Sequence, residues 1–125
     1  MNDNQPCPFC NLKREKIMES EMSFAIYDGF PVNEGHALII PKRHAANYFD
    51  LTSEEQTDCF LLLNKVKDIV QRKNNPIGFN VGININEAAG QTVPHVHIHL
   101  IPRYDGDVEE PRGGVRGVIP RMKNY

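Results

Sequence analysis

Residues 95–102 read HVHIHLIP, with histidine at every second position from 95 to 99. Successive side chains of a strand point to opposite faces, so this alternation predicts a strand with His95, His97 and His99 on one face and Val96, Ile98 and Leu100 on the other. The first face is a row of imidazoles about 6.6 Å apart along the strand. The second is apolar and has to be covered, so the rest of the chain must supply a core for one face and a use for the other.

The cover is legible upstream. Residues 51–73, LTSEEQTDCFLLLNKVKDIVQRK, place Cys59, Leu62, Leu63, Val66, Ile69 and Val70 at helical spacing, and Thr52 followed by Glu55 is a capping-box start. Asn74-Asn75-Pro76 ends this helix. Strands are predicted over 21–28 (EMSFAIYD), 36–40 (HALII) and 77–85 (IGFNVGINI), with Asp28-Gly29 and Pro31 marking a turn after the first. The strand at 77–85 and the histidine strand, joined by the loop 86–94, form an antiparallel hairpin in the simplest arrangement, with the helix over Val96, Ile98 and Leu100. The expected class is α+β. Beyond Pro102 periodicity fades and Gly, Pro and Arg accumulate, so 104–125 reads as an extended Arg/Gly-rich tail with at most one short strand.

At 125 residues and 40% apolar content, 1–125 is expected to be one domain. A formal charge of −2 gives no long-range attraction for nucleic acid or an anionic membrane, so any polyanion must be held by a local site. The opening MNDNQPCPFC lacks the apolar stretch of a signal peptide, and the longest apolar run, FLLL, is too short to span a bilayer. A cytoplasmic location is expected. Three cysteines argue against a disulfide framework; the C-x-x-C pair Cys7 and Cys10 points to metal or redox chemistry, and Cys59 belongs to the helix core.

Three imidazoles on one face fit a catalytic zinc, a nucleophile with supporting hydrogen bonds, or a hydrogen-bonded polar surface. The neighbouring loop favours the nucleophile. Asn84, Gln91 and Thr92 bring neutral donors toward the histidines, as stabilising phosphate oxygens during a displacement requires. Taken singly, each of the three is more often a loop residue satisfying nearby backbone groups.

GQTVPHVHIHLIPR at 90–103, NEGHALIIPKRH at 33–44 and the CPFC start together resemble the histidine triad (HIT) superfamily of nucleotide hydrolases and transferases. The resemblance implies an antiparallel sheet of about five strands with one long helix and a short N-terminal helix or turn, usually paired into a homodimer. It also implies ping-pong attack on a nucleotide α-phosphate. His97 matches the nucleophile, and His99 and His36 match supporting histidines. Asn84, Gln91 and Thr92 match positions at the phosphates or leaving group. Asp28 matches the residue that grips the ribose hydroxyls, although Asp-Gly alone reads as a plain turn. Phe9, Phe24, Ile26 and Ile39 are base-pocket candidates that could equally be core.

In zinc-carrying bacterial members, two further ligands complete the cysteine pair; here the matching residues are His44 and His95, making a structural zinc site of Cys7, Cys10, His44 and His95 that tethers 1–12 to the catalytic segment. A dithiol redox pair and two reduced cysteines are the alternatives. The I-P-R after the triad resembles branches that cleave dinucleoside polyphosphates such as diadenosine tetraphosphate; nucleoside phosphoramidates and adenylyl sulfate could use the same nucleophile, and a nucleotide-binding regulatory module could retain the same pocket. A zinc-stabilised nucleic-acid-binding domain is opposed by the overall charge. Arg112, Arg116, Arg121 and Lys123 either fold over a polyphosphate or form a solvated basic tail. A divalent cation could accompany the nucleotide, although no carboxylate cluster marks its place.

Overall fold

The computed structural model describes residues 6–125. The strands are β1 (Met18–Glu19), β2 (Ser23–Tyr27), β3 (Ala37–Pro41), β4 (Gly78–Ile83) and β5 (Ile98–Arg103), and α1 (Ser53–Asn74) lies between β3 and β4 in the chain. They form one antiparallel sheet in the order β1-β2-β3-β5-β4. The fold is α+β with one long helix, and residues 8–11 form the N-terminal turn.

Alternation in the strands sends half of each strand against α1. Ala25, Ala37, Ile39, Ile98 and Leu100 meet Cys59, Leu62, Leu63, Val66 and Val70 of the helix in the main core. The opposite face of β2 and β3 carries Phe24, Ile26, Leu38 and Ile40, against which Phe9 and Leu12 of the N-terminal segment pack. Of the base-pocket candidates, Phe9, Phe24 and Ile26 share this second face; Ile39 points the other way and is helix-facing core.

The helix starts where its capping box predicts. The Glu55 N–H donates to Thr52 Oγ1 at 3.1 Å and the Thr52 N–H donates to Glu55 Oε1 at 2.9 Å. Glu55 is buried and also accepts from Arg43 through Nε at 2.9 Å and Nη2 at 2.8 Å, tying the helix N-terminus to the segment that follows β3. At the other end Asn75 takes the left-handed conformation, φ 53°, and Pro76 stops the helix.

The structure departs from the sequence expectation in three places. β5 begins at Ile98, so His95 and His97 precede the ladder; there the Val96 N–H donates to Ala45 O at 2.8 Å, and Val96 packs with Ala45 and Leu51 in a cluster separate from the main core. β1, two residues long, carries too little pattern to be read from sequence. The tail is coiled, with 3-10 turns at Gly114–Val118 and Pro120–Met122 in place of an extended run or strand. Among the described residues no helix is long and apolar enough to cross a membrane.

Candidate active site

His97 is 9% exposed, and its Nδ1 lies 2.9 Å from the carbonyl oxygen of His95. A ring nitrogen facing a carbonyl must carry the proton, so Nδ1–H donates and Nε2 keeps its lone pair. The Phe9 ring packs edge-on to His97 at 5.3 Å between centroids.

A second chain of contacts fixes the tautomers of its neighbours. The Val32 N–H donates to His36 Nδ1 at 3.1 Å, which leaves the proton of a neutral His36 on Nε2. That nitrogen donates to His99 Nδ1 at 3.0 Å and lies 3.4 Å from Asp28 Oδ2. With Nδ1 accepting, His99 carries its own proton on Nε2 and presents a donor. Burial, helped by His97 and His36, pulls the pKa of His99 down to about 4 against the partial opposition of Asp28. Burial likewise lowers His36, and Asp28 again opposes. Both rings are therefore neutral near pH 7, able to donate hydrogen bonds without carrying a charge.

Asp28 carries both of its sequence readings at once. Its Oδ1 accepts from the Phe30 N–H at 2.9 Å, closing a tight turn, while Oδ2 is directed to His36. The loop residues separate into different roles. Gln91 is buried, accepts from the Asn86 N–H at 2.8 Å and donates to Ala46 O at 2.7 Å and Val93 O at 3.0 Å. Both amide hydrogens are thus committed to backbone, so Gln91 shapes the loop. Asn84 lines a pocket with His36 and His99, whereas Thr92 is exposed and stands outside that lining.

The pocket also recruits residues that sequence reasoning missed. Asn80 and Gly82 of β4, Ile101 of β5 and the tail residues Val115 and Val118 complete it. Only the pairing of β4 with β5 could have found the first two, because Gly82 stands opposite His99 and Asn80 opposite Ile101. The tail arginines turn elsewhere: Arg116 Nη2 donates to Met122 O at 2.8 Å, Arg112 donates to Tyr125 O, and both guanidinium groups lie against the Tyr125 ring. Arg112 and Arg116 are thus held by contacts within the tail.

Cys7, Cys10, His44 and His95 each offer a ligand atom, all within 4.8 Å of one another, and could hold a metal. Tetrahedral zinc with ordinary bond lengths places sulfur and nitrogen ligands about 3.6 Å apart and two nitrogens about 3.3 Å apart. Here Cys7 Sγ to His95 Nδ1 is 3.3 Å, Cys10 Sγ to His44 Nδ1 is 3.2 Å, Cys10 Sγ to His95 Nδ1 is 3.6 Å and His44 Nδ1 to His95 Nδ1 is 3.2 Å. His95 Nε2–H donates to Pro41 O at 2.8 Å, which fixes Nδ1 as the lone-pair nitrogen facing the cysteines. The donor set fits zinc.

The profile of the HIT domain matches residues 11–106. The chain belongs to the HIT domain family. Among HIT relatives, it is 40% identical to a bis(5'-adenosyl)-triphosphatase of Dictyostelium discoideum over 82% of this chain and 68% of that protein. It is also 40% identical to an asymmetrical bis(5'-nucleosyl)-tetraphosphatase of Schizosaccharomyces pombe over 73% of this chain and 50% of that protein, so it spans about half the length of that relative. A crystal structure of a HIT family protein from Bacillus anthracis superposes with a TM-score of 0.78 at 39% identity, covering 86% of this chain and 78% of the other. The HIT span holds His36, His97 and His99; Cys7, Cys10 and the tail beyond 106 lie outside it.

Proposed function

We propose that this HIT protein is a nucleotide hydrolase or nucleotidylyl transferase that attacks the α-phosphate of dinucleoside polyphosphates through His97. The observation that carries the reading is the His97 Nδ1 contact with the His95 carbonyl, because it leaves Nε2 as the nitrogen with the lone pair, beside a second histidine with a free donor. In the first step His97 Nε2 bonds to the α-phosphorus and the P–O bond to the polyphosphate breaks, its electron pair leaving with that oxygen. His99 Nε2–H donates to an oxygen of the phosphate or leaving group, and Asn84 and the Thr92 hydroxyl serve the same oxygens. Water then attacks the phosphorus, the P–N bond breaks, and a nucleoside monophosphate is released with His97 restored; another acceptor in place of water makes the reaction a transfer. Asp28 receives the ribose hydroxyls, and the half-buried Phe9, which packs over the Phe24 and Ile26 face, receives a purine.

Relatives named for cleaving bis(5'-adenosyl) triphosphate and bis(5'-nucleosyl) tetraphosphate support this substrate class. We assign zinc to Cys7, Cys10, His44 and His95 as a structural ion, which would crosslink the N-terminal segment to the chain on either side of the nucleophile. In the same reading the protein works as a cytoplasmic homodimer, testable by its mass in solution, and a divalent cation accompanies the polyphosphate.

The test is turnover of diadenosine tetraphosphate, with adenosine phosphoramidate alongside, by wild type and His97→Ala. AMP plus ATP from the wild type, with at least a thousandfold loss in the variant, supports the assignment. Cleavage of the phosphoramidate alone would move the substrate, and no turnover of either would sink the hydrolase reading.

A further inference from the structure

Asn33 lies in the turn between β2 and β3 that leads into His36, and its side chain reaches across to the end of β5. The Nδ2 amine donates to Pro102 O at 3.0 Å and to Asp107 Oδ2 at 2.8 Å, so both of its hydrogens are committed. Tyr104 adds a second tie, its hydroxyl donating to Glu34 O at 2.6 Å. The loop that orients His36 is thereby fastened to the strand that carries His99, at a point beyond the two rings.

The acceptor at the far end is itself held. Arg103 forks onto the Asp107 carboxylate, Nε to Oδ2 and Nη2 to Oδ1, each at 2.8 Å, and the Tyr104 N–H donates to Oδ2 at 3.0 Å. The remaining Arg103 contact, Nη1 to Asn80 Oδ1 at 2.6 Å, anchors the guanidinium to β4. These donors hold the Asp107 carboxyl below the usual carboxylate range, so it is an ionised acceptor near pH 7. At the near end, Asn33 O accepts from the His36 N–H at 3.2 Å while the Val32 N–H donates to His36 Nδ1. Gly35 closes this turn at φ 88°, and a Cβ there would come within 3.0 Å of Asn74 Oδ1. Asn33 thus grips the His36 backbone through its carbonyl and β5 through its amide.

A neutral imidazole can carry its proton on either nitrogen, and the choice at His36 reverses the role of His99. With the Val32 N–H on Nδ1, His36 donates from Nε2 and His99 keeps its own proton on Nε2. If the turn slackened and the His36 proton moved to Nδ1, the bare Nε2 would accept from His99 Nδ1–H, and His99 would present an acceptor where it now presents a donor. We propose that Asn33 and Asp107 are positioning residues that act through Val32 and His36 to keep the His99 proton on Nε2. Asp28 Oδ2, 3.4 Å from His36 Nε2, favours the same tautomer from the other side of the ring. The kinetic consequence rests on the hydrolase reading, since it needs His99 as a donor to the reacting phosphate; the tautomer itself does not.

The experiment reads the histidine rings directly, by 15N–1H NMR correlation spectra that distinguish a protonated ring nitrogen from a bare one. Wild type near pH 7 should show His99 protonated at Nε2. Asn33→Ala and, independently, Asp107→Ser should shift the His99 population several-fold toward Nδ1–H, the scale of change that one lost hydrogen bond supports. Arg103→Lys, which breaks the fork but keeps the charge, should give a weaker shift in the same direction and serves if the other two fold poorly. With diadenosine tetraphosphate, kcat of Asn33→Ala should fall about tenfold while KM changes by less than about twofold. Glu55→Ala, destabilised through the helix cap away from the histidines, should keep the wild-type His99 spectrum. An unchanged His99 tautomer in the brace variants, or an equal shift in Glu55→Ala, would overturn the proposal. If wild type turns over no nucleotide, the hydrolase reading fails and the spectra alone decide this one.

Discussion

His36 Nε2 lies 3.0 Å from His99 Nδ1, and through this contact the backbone N–H of Val32 determines which nitrogen of His99 carries a proton. A loop residue four positions before His36 thus sets the donor that His99 presents. The arrangement depends on both rings staying neutral, which their burial enforces.

The pH dependence follows with a definite sign. His99 has a folded pKa of about 4 against an ordinary value of 6.5, so between these values the unfolded chain binds more protons than the folded one. Its contribution is fully present above pH 6.5 and is lost as pH falls toward 4. NMR titration should show the His99 ring neutral at pH 5.5, and denaturant unfolding should show stability decreasing from pH 6.5 to 4; a His99 midpoint near 6.5 would contradict the burial argument.

Glu55 joins two roles, capping α1 and accepting two hydrogen bonds from Arg43, and these contacts hold its pKa at about 2. Glu55→Ala should destabilise the fold by about 1–2 kcal/mol, the usual range for a lost cap and its charge-assisted contact. Because the folded pKa is depressed from 4.5, this stabilisation is present above pH 4.5 and disappears toward pH 2. Urea unfolding at pH 7 and at pH 2.5 measures both effects, and equal losses at the two pH values would disprove the ionic part.

Gln91→Ala would leave the Asn86 N–H and the Ala46 and Val93 carbonyls without their partner. We expect a loss of about 2 kcal/mol in unfolding free energy, consistent with buried groups left unsatisfied. Turnover extrapolated to saturating substrate should fall less than in His99→Ala, since Gln91 acts through the loop. A variant of unchanged stability but abolished kcat would instead place its amide on the substrate.

Native mass spectrometry should find one zinc per chain, lost on Cys7→Ser or Cys10→Ser, with Tm lowered by at least about 5 °C. The third thiol behaves differently: burial pushes Cys59 up to about 11, so it should resist alkylation until the protein unfolds. Two thiols exposed by a chelator and one only by denaturant is the expected pattern; zinc retained in both serine variants would place the ion elsewhere.

Periodicity and capping were sufficient for α1, whose core residues Cys59, Leu62, Leu63, Val66 and Val70 recur at helical spacing and whose start is written as Thr52 and Glu55. The alternation after residue 95 likewise pointed to a strand, although the regular strand begins only at Ile98. Hydrophobic alternation reports which way side chains point and carries no record of where a ladder starts, because that depends on the partner strand. Here the Val96 N–H bonds to Ala45 O in the segment after β3, which detaches His95 and His97 from the regular sheet.

By itself the sequence determined the fold class, the long helix and the residue types gathered at 36, 95, 97 and 99, since local patterning and side-chain chemistry are properties of contiguous residues. Only the tertiary structure decided that Gln91 turns inward, that Ile39 belongs under the helix, that Gly82 faces His99, and that the tail offers valines in place of arginines to the pocket. Each of those outcomes depends on a partner remote in sequence, and contacts between remote segments become specific only when the sheet order and the packing around it bring their surfaces together.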